Sequence, residues 1–398
     1  MKSRQIIDQT KGNQALAHNN TVFAQLLKLV PRHEFETLAN QHRQGRKLRK
    51  MTRWSQFVAM ATAQLSGRTS LRDVVSNLSA QTTKLYHLGS ALVSRSSLAR
   101  VNEQQPYTLY EQLAGKLLAQ CQARAPRHGF RFKNKLYSLD ASTIDLCLSV
   151  FPWAKFRTTK GAVKLHVGLD HDGMLPTFLS ITDGKTHDIT AARALQLPKS
   201  SIVVMDRGYT DYTWYNQLNS KDIFFVTRQR KNSCYRVTER RNVRKSNGLT
   251  SDQTIQLTGT KADKCPIPLR RIGFKDADTG NRYYFLTNNF KLAASTIAEI
   301  YKARWQIELF FKWIKQNLKI KSFLGTSRNA VMTQIWIAIC VYLLLAYLKF
   351  ASRISRSMQQ ILRLLQLNLF DRRDLRGLLV GDPPEPPVPQ FQTRLQFS

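Results

Sequence analysis

The sequence predicts an α/β protein. It should contain a mixed five-stranded sheet with helices, interrupted by a β-rich insertion and preceded by an all-helical N-terminal domain. Three observations lead to this fold class. Residues 1–130 carry apolar side chains at helical spacing. Residues 131–228 alternate short apolar strands with short helices. Residues 229–290 form strand-like segments between turns and are rich in Arg and Lys, as expected of a basic insertion.

The charge of the chain is strongly one-sided. Its 398 residues include 61 Lys and Arg against 26 Asp and Glu, a formal net charge of +35, and 42% of the residues are hydrophobic. A chain this apolar folds, so its surface is mostly positive and its expected partner is a polyanion. Nucleic acid is favoured because Lys and Arg release the counterions condensed on phosphates. An anionic membrane surface is the alternative.

The cysteines and the most apolar segment limit the class of protein. Five scattered cysteines without a CxxC pair argue against a disulfide framework and a structural zinc, and favour a reducing compartment. Residues 335–348 contain no charge. This segment is shorter than the ~20 residues that cross a bilayer, so a buried core helix is favoured over a membrane span.

The helical region contains two features that suggest DNA contact. Apolar residues at helical spacing run from Trp54 to Leu65 and from Leu71 to Leu78, with Gly67 as a stop between them. This pair is either a helix-turn-helix or two ordinary packed helices. Residues 43–53 carry six bases and no acid. Such a run is either a solvated face or a phosphate contact.

The core strands are predicted from apolar runs and alternation at 135–142, 162–170, 174–181, 201–206 and 223–227. Asp172-Gly173 supplies the hairpin turn between the second and third strands. The order is three antiparallel strands followed by crossovers, which makes the first and fourth strands neighbours. Residues 291–350 then complete the core, with a long helix from about 294 to 320. Residues 351–398 are predicted as a C-terminal helix and a Pro-rich tail.

Two acids stand at the predicted strands, in a chain where acids are scarce. Asp140 follows the apolar part of the first strand, and Asp206 ends the fourth. Because these strands are neighbours, we expect the two carboxylates to lie side by side. Two close like charges repel unless a cation sits between them. Carboxylate oxygens are ligands that Mg²⁺ prefers.

The predicted long helix supplies a third acid, Glu308. At 100° per residue, Tyr301, Arg304, Glu308 and Lys315 lie in one stripe of this helix. The stripe combines a hydroxyl, a guanidinium, a carboxylate and an ammonium, which a simple core helix would not place together. The alternative is an Arg–Glu surface pair one turn apart, worth only ~0.3–0.5 kcal/mol.

The segment YKARWQIELFFKWIK, residues 301–315, resembles a known signature. Its Tyr, Arg, Glu and Lys have the spacing of the YREK motif in bacterial transposases of the insertion-sequence-four family. SLDAS around Asp140 and MDRGY around Asp206 resemble the family's two Asp regions, and TDGKTHD at 182–188 resembles the segment between them. The resemblance covers roughly 130–350. It implies a ribonuclease-H-like catalytic core with a β-rich insertion before the Glu helix.

The resemblance implies a DDE triad of Asp140, Asp206 and Glu308. These acids would be the ligands of two Mg²⁺ ions, for which Mn²⁺ can substitute. The same site would cut the ends of a transposable element, through a hairpin on the element end, and join the 3′-hydroxyls to target DNA.

The same match assigns the other residues of the Glu helix. Tyr301, Arg304 and Lys315 would contact DNA phosphate near the cleavage point. Trp305 stands where relatives stack an aromatic ring on a flipped base, a contact worth ~1–3 kcal/mol. A core position is the alternative for Trp305, because it lies off the main stripe.

The remaining expectations concern partners and location. We expect residues 1–130, including the run at 43–53, to recognise the terminal inverted repeats, and the insertion to contact flanking DNA or the hairpin. The need to hold two element ends implies a homodimer. A bacterial cytoplasmic location, at the nucleoid, is expected.

Other residues and reaction classes are less favoured. His166, His171 and His187 lack the spacing of a zinc helix, and turn or capping roles are favoured for Asp145, Asp183, Asp188 and Asp211. The sequence has no serine-hydrolase elbow and no phosphate-binding P-loop. Two alternatives stay open: a metal nuclease on the same fold that cuts without joining, and a catalytically inactive DNA-binding protein.

Overall fold

The computed structural model of the protein describes residues 20–45, 48, 51–157, 160–244 and 248–381. Four bases of the run at 43–53 and the whole Pro-rich tail from 382 onward lie outside the described residues. Arg53, the last base of that run, is buried. Its guanidinium donates to the Pro106 carbonyl at 2.7 Å and lies over the Tyr110 ring. Arg53 therefore has a structural role, so the phosphate contact considered for the run does not extend to it.

The chain begins with short helices at Val22–Leu27 (α1), Arg32–Gln41 (α2), Arg53–Ser66 (α3), Leu71–Ser79 (α4), Thr82–Leu85 (α5), Arg95–Gln104 (α6) and Thr108–Gln122 (α7). Their ends follow from capping residues. The side chains of Thr52 and Ser70 accept hydrogen bonds from the first turns of α3 and α4, and Gly67 ends α3 in the left-handed conformation. Helix α3 is buried along nearly its whole length, whereas α4 buries only Val74 and Leu78.

One mixed sheet follows. Its strands are Leu136–Leu146 (β1), Lys155–Arg157 (β2), Lys160–Asp170 (β3), Leu175–Asp183 (β4), Ile202–Met205 (β5), Phe224–Arg228 (β6), Tyr235–Arg241 (β7), Leu249–Leu257 (β8), Leu269–Lys275 (β9) and Arg282–Thr287 (β10). Strands β1, β3 and β4 pair antiparallel, and β1, β5 and β6 pair parallel. Helices Asp188–Arg193 (α8) and Tyr212–Ser220 (α9) lie in the connections to β5 and β6. This order is that of a ribonuclease-H-like core, so the predicted fold class is confirmed.

The insertion continues the core sheet. Strand β10 pairs antiparallel with β6, and β9, β8 and β7 follow outward in that order. The sheet is therefore wider than the five strands predicted for the core. The physical reason is that β6 would otherwise leave a row of unpaired backbone groups at its edge, which β10 satisfies.

The chain ends in helices at Ala294–Ala303 (α10), Trp305–Asn317 (α11), Arg328–Ala351 (α12), Met358–Asn368 (α13) and Leu375–Val380 (α14). The single helix predicted over 294–320 is wrong. It is divided at Arg304, where the Ile307 amide bonds the Arg304 carbonyl at 3.1 Å in a tighter turn.

Helix α12 is the centre of the largest hydrophobic core. It is long and apolar enough to cross a membrane, but nearly all of its apolar residues are buried inside the protein. The prediction of a core helix for 335–348 is confirmed. The helical N-terminal region, the α11 face, α12 and α13 share this core. The first and last predicted segments therefore pack together, and the domain boundaries themselves stay predictions.

Candidate active site

Asp140 lies in the middle of the sheet on β1, opposite Val167 of β3. Its carboxylate accepts a hydrogen bond from the Ala141 amide at 2.8 Å, and about a quarter of the side chain (26%) is exposed. A carboxylate on a central strand is partly desolvated by the sheet and by whatever helix covers it. Here that helix is α11, which packs on β1.

Asp206 directly follows β5, which is buried at every position. Its side chain caps the short 3₁₀ turn Arg207–Tyr209 by accepting from the Gly208 amide, and its carbonyl accepts from the Thr227 hydroxyl at 3.2 Å. These two bonds fix the residue at the end of its strand. Leu139 is in register with Met205, so Asp140 and Asp206 come next on adjacent parallel strands. This is the neighbourhood that the sequence predicted.

Glu308 lies in the first turn of α11, and Arg304 links it to Asp140 of β1. The Arg304 guanidinium donates to Glu308 at 2.6 Å and lies 3.7 Å from the Asp140 carboxylate. Arg304 is only 15% exposed, so this is more than a solvated surface pair. The structure thus brings Asp140, Arg304 and Glu308 into one charged cluster.

The electrostatics of Asp140 connect all three acids. Burial raises the pKa of Asp140 to about 6, and the Ala141 amide and Arg304 oppose the rise. Both Asp206 and Glu308 raise the pKa of Asp140 further through charge repulsion. All three acids are therefore close enough for their charges to act on one group.

The donor chemistry of this cluster suits a hard divalent cation, because the carboxylates of Asp206 and Glu308, from separate elements, lie near enough to Asp140 to act on its charge. Within the described ranges, however, no group of three or more His, Cys, Asp or Glu side chains is arranged to hold a metal ion. The Arg304 guanidinium lies between Asp140 and Glu308 instead. The three acids are suitable metal ligands by residue type and by their proximity, and the guanidinium of Arg304 lies between two of them.

The other residues predicted on the Glu helix take different positions. The Tyr301 ring packs on Phe285, with centroids 4.7 Å apart, and burial raises its pKa. Lys315 donates to the Thr143 carbonyl at 2.9 Å, and burial lowers its pKa. Trp305 is 56% exposed. Its ring is therefore outside the core, which removes the core alternative considered for it.

Residues 131–344 match the family described as Transposase DDE domain, which is more than half of the chain. The chain belongs to the DDE transposase family. Residues 18–91 match a domain of unknown function.

Several known proteins resemble this transposase. A protein of Sinorhizobium fredii named as transposase y4zB is 36% identical over 73% of this chain and 81% of its own length. A transposase named for insertion sequence element IS5377 of Geobacillus stearothermophilus is 30% identical over 64% and 67%. One named for IS4SA of Synechocystis is 29% identical over 51% and 58%. A piggyBac transposase synaptic complex with hairpin DNA has a TM-score of 0.44 at 10% identity, covering 92% of this chain and 85% of that one.

The expectation of a DNA transposase is thereby confirmed, and DNA is its partner. Transposase DDE domains use divalent metal ions, which agrees with the carboxylate donors described above. The resemblance to insertion-sequence transposases is confirmed at the level of the family.

A basic cleft of about 400 Å³ opens beside Asp206 of the transposase. It is lined by Asp206, Arg207, Gly208, Arg230, Lys231 and Asn232. The Arg230 Nε donates to the Arg207 carbonyl at 3.2 Å, which holds the insertion against the turn after β5. The basic residues of the insertion were predicted to contact DNA from the sequence, but Arg207 was not. Its position directly after Asp206 could have indicated it.

A second group lies behind Asp140, on the opposite face of the sheet. Asp188 pairs with Lys164 at 2.7 Å and lies 3.5 Å from His166. Tyr209 is buried, and burial together with the charges of Asp188, Asp140 and Asp206 raises its pKa, so the phenol stays protonated. The sequence assigned Asp188 only a capping role. Helix α8 does begin at Asp188, but its N-cap residue is His187, and the Asp188 side chain belongs to this polar group instead.

Proposed function

We propose that Asp140, Asp206 and Glu308 are the catalytic residues of this transposase and the ligands of its metal ions. The single observation that supports this most is the cluster itself. Asp206 at the end of β5 and Glu308 of α11 both act electrostatically on Asp140 of β1, and Arg304 contacts Asp140 and Glu308. In a chain of net charge +35, such a concentration of acids is unusual.

The reaction is cleavage at the terminal inverted repeats of an insertion sequence, followed by joining of the 3′-hydroxyls to target DNA. Two Mg²⁺ ions, or Mn²⁺ in their place, are the proposed cofactors. Such ions, when bound, activate a water or hydroxyl nucleophile and stabilise the leaving oxygen. The carboxylates of this chain hold and orient them. The partly desolvated position of Asp140 strengthens these electrostatic contacts.

The basic residues around the cluster position the DNA. Arg304 and Lys315 bind phosphates near the scissile bond, and Tyr301 at the end of α10 supplies a hydroxyl to the same phosphates. The cleft formed by Arg207, Arg230 and Lys231 takes the phosphates of the strand beyond Asp206. The exposed Trp305 ring stacks on a base flipped out during a hairpin step, as the YREK resemblance implies.

The rest of the chain is proposed to bind the element ends. Residues 1–130 recognise the terminal inverted repeats, the insertion at 229–290 contacts flanking DNA, and a homodimer holds two ends together at the bacterial nucleoid in the cytoplasm. The first and last helical segments share one core with α12. End binding in the helical region is therefore connected mechanically to the catalytic core.

The experiment that tests this function is a strand-transfer assay with pre-cut element ends. The substrate is duplex DNA with the sequence that flanks the coding region of the protein. Joined product in Mg²⁺ or Mn²⁺ is expected. Cutting of intact ends without joining would identify a nuclease of the same fold. Binding of the ends without cleavage in either metal would identify an inactive DNA-binding protein, and both outcomes would contradict the proposal.

A further inference from the structure

Arg304 occupies the place between two acids that a divalent cation would otherwise neutralise. Its guanidinium contacts Glu308 at 2.6 Å and Asp140 at 3.7 Å, on elements more than 160 residues apart in the chain. The side chains of Arg304, Asp140 and Glu308 are 15%, 26% and 34% exposed, so water screens these contacts only in part. In the described part of the chain, with Arg304 in this place, no three His, Cys, Asp or Glu side chains are arranged around one metal position.

The backbone holds Arg304 at this position. It is the junction of α10 and α11, where its amide bonds the Tyr301 carbonyl and its carbonyl accepts from the Ile307 amide. The long side chain extends from this fixed junction, with its polar tip on the acids. The Arg304 side chain has staggered rotamers to choose from, so its polar tip can differ in position while the backbone junction stays the same.

The contacts of Arg304 are incomplete. Its Nε is buried and has no hydrogen-bond partner among the described residues. A guanidinium has five N–H donors and pairs best with two parallel bonds to a carboxylate or phosphate. In this arrangement it makes one short bond and one long contact. A DNA phosphate offers the paired geometry that Asp140 and Glu308 do not.

We propose that Arg304 is a counter-ion that keeps the acid cluster closed to divalent metal until DNA arrives. In the DNA-free protein its charge opposes metal entry between Asp140 and Glu308. When a DNA phosphate takes the guanidinium, the carboxylates become free to bind the metal. Metal binding and DNA binding are then coupled, and each strengthens the other by the same factor. This inference rests on the proposed function, because it takes the three acids as the metal site.

The coupling is tested by titrating the protein with Mn²⁺ and measuring the affinity for the ion. Free Mn²⁺ gives an electron paramagnetic resonance signal, so this readout does not depend on nuclease activity. Without DNA, Arg304→Gln is expected to bind Mn²⁺ about 5- to 150-fold more tightly than the parent protein. Addition of an uncleavable duplex from the region outside the reading frame should tighten Mn²⁺ binding in the parent protein by a similar factor and leave Arg304→Gln almost unchanged. Arg304→Lys keeps the positive charge but loses the planar set of donors of the guanidinium, so an intermediate affinity for Mn²⁺ is expected.

The matched control is Arg193→Gln, which removes an arginine from an exposed pair with Asp211. It should leave Mn²⁺ affinity unchanged. If the parent protein and Arg304→Gln bind Mn²⁺ equally without DNA, while the parent protein binds it with DNA present, the inference is overturned and the proposed function stands. If Mn²⁺ binding in Arg304→Gln survives the added change Asp206→Asn, the ions are elsewhere and the proposed function fails as well. Thermal unfolding of each variant shows that it is folded.

Discussion

Asp140 and Asp206 stand directly after two residues, Leu139 and Met205, that are in register on the parallel strands β1 and β5. Parallel pairing of these strands places two acids that are 66 residues apart in the sequence next to each other in the interior of the sheet. A helix that packs on these strands can add a third acid, and α11 does so with Glu308. The relationship gives the first of four predictions.

Asp206→Asn should leave DNA binding intact and abolish cleavage. The amide keeps the shape of the carboxylate and its capping bond to Gly208, but it is a weaker metal ligand. Mutation of a residue that hydrogen-bonds to a metal ligand typically lowers metal affinity or activity by roughly 10- to 100-fold, and mutation of the ligand itself should lower them further. Cleavage of labelled duplex is the measurement. Asp211→Asn, which changes a capping carboxylate of α9, is the matched control and should cleave normally. Retained cutting by Asp206→Asn would show that the site is misassigned.

Asp140→Asn should stabilise the metal-free protein above pH 6. Burial raises the pKa of Asp140 from 3.8 to about 6. Between these values the folded chain keeps a proton that the unfolded chain releases, so the free energy of unfolding falls as the pH rises. Above pH 6, ionisation of the Asp140 carboxylate therefore lowers the free energy of unfolding by up to ~3 kcal/mol. Denaturant unfolding at several pH values measures this. The difference between variant and parent should disappear below pH 3.8, and a constant difference would contradict the burial argument.

Trp305→Ala should slow hairpin formation or resolution more than first-strand nicking. The ring is exposed, so little packing is lost and the free energy of unfolding should change by less than ~0.5 kcal/mol. Gel separation of nicked, hairpin and resolved products gives both rates. Trp313→Ala on the same helix is the control, because its ring packs edge-on against Tyr342 and its removal should lower stability instead. Equal slowing of nicking and hairpin steps by Trp305→Ala would argue against base stacking.

Arg230→Gln combined with Lys231→Gln should weaken DNA binding and reduce its salt dependence. Each phosphate contact contributes about 0.9 to the slope of log affinity against log salt, so the slope should fall by roughly one to two. Lys199→Gln is the control. Lys199 precedes β5 and so lies at the opposite end of that strand from Asp206, paired with Asp222. An unchanged slope in the double variant would remove the cleft from the DNA path.

The local features of the sequence predicted much of this protein. Alternation and apolar runs predicted the core strands and their order, because periodicity reports which faces are buried. The order in turn made Asp140 and Asp206 neighbours. The spacing of Tyr301, Arg304, Glu308 and Lys315 resembles that of a transposase family and singled out Glu308.

Other features depend on contacts between distant segments, and no local pattern encodes them. The charge count could not show that Arg53 is buried against Tyr110, since burial is decided by which helix packs on it. Nor could the strand pattern of the insertion show that β10 pairs with β6, because register is chosen by the open edge.

By itself, the sequence determined the elements, their order and the chemical identity of the acids, because these follow from residue type and spacing. Only the tertiary structure decided that Arg304 stands between Asp140 and Glu308, and that helices before and after the sheet share one core with α12. The physical reason is that burial and charge pairing depend on distances in space, which are set when sheet and helices pack as a whole.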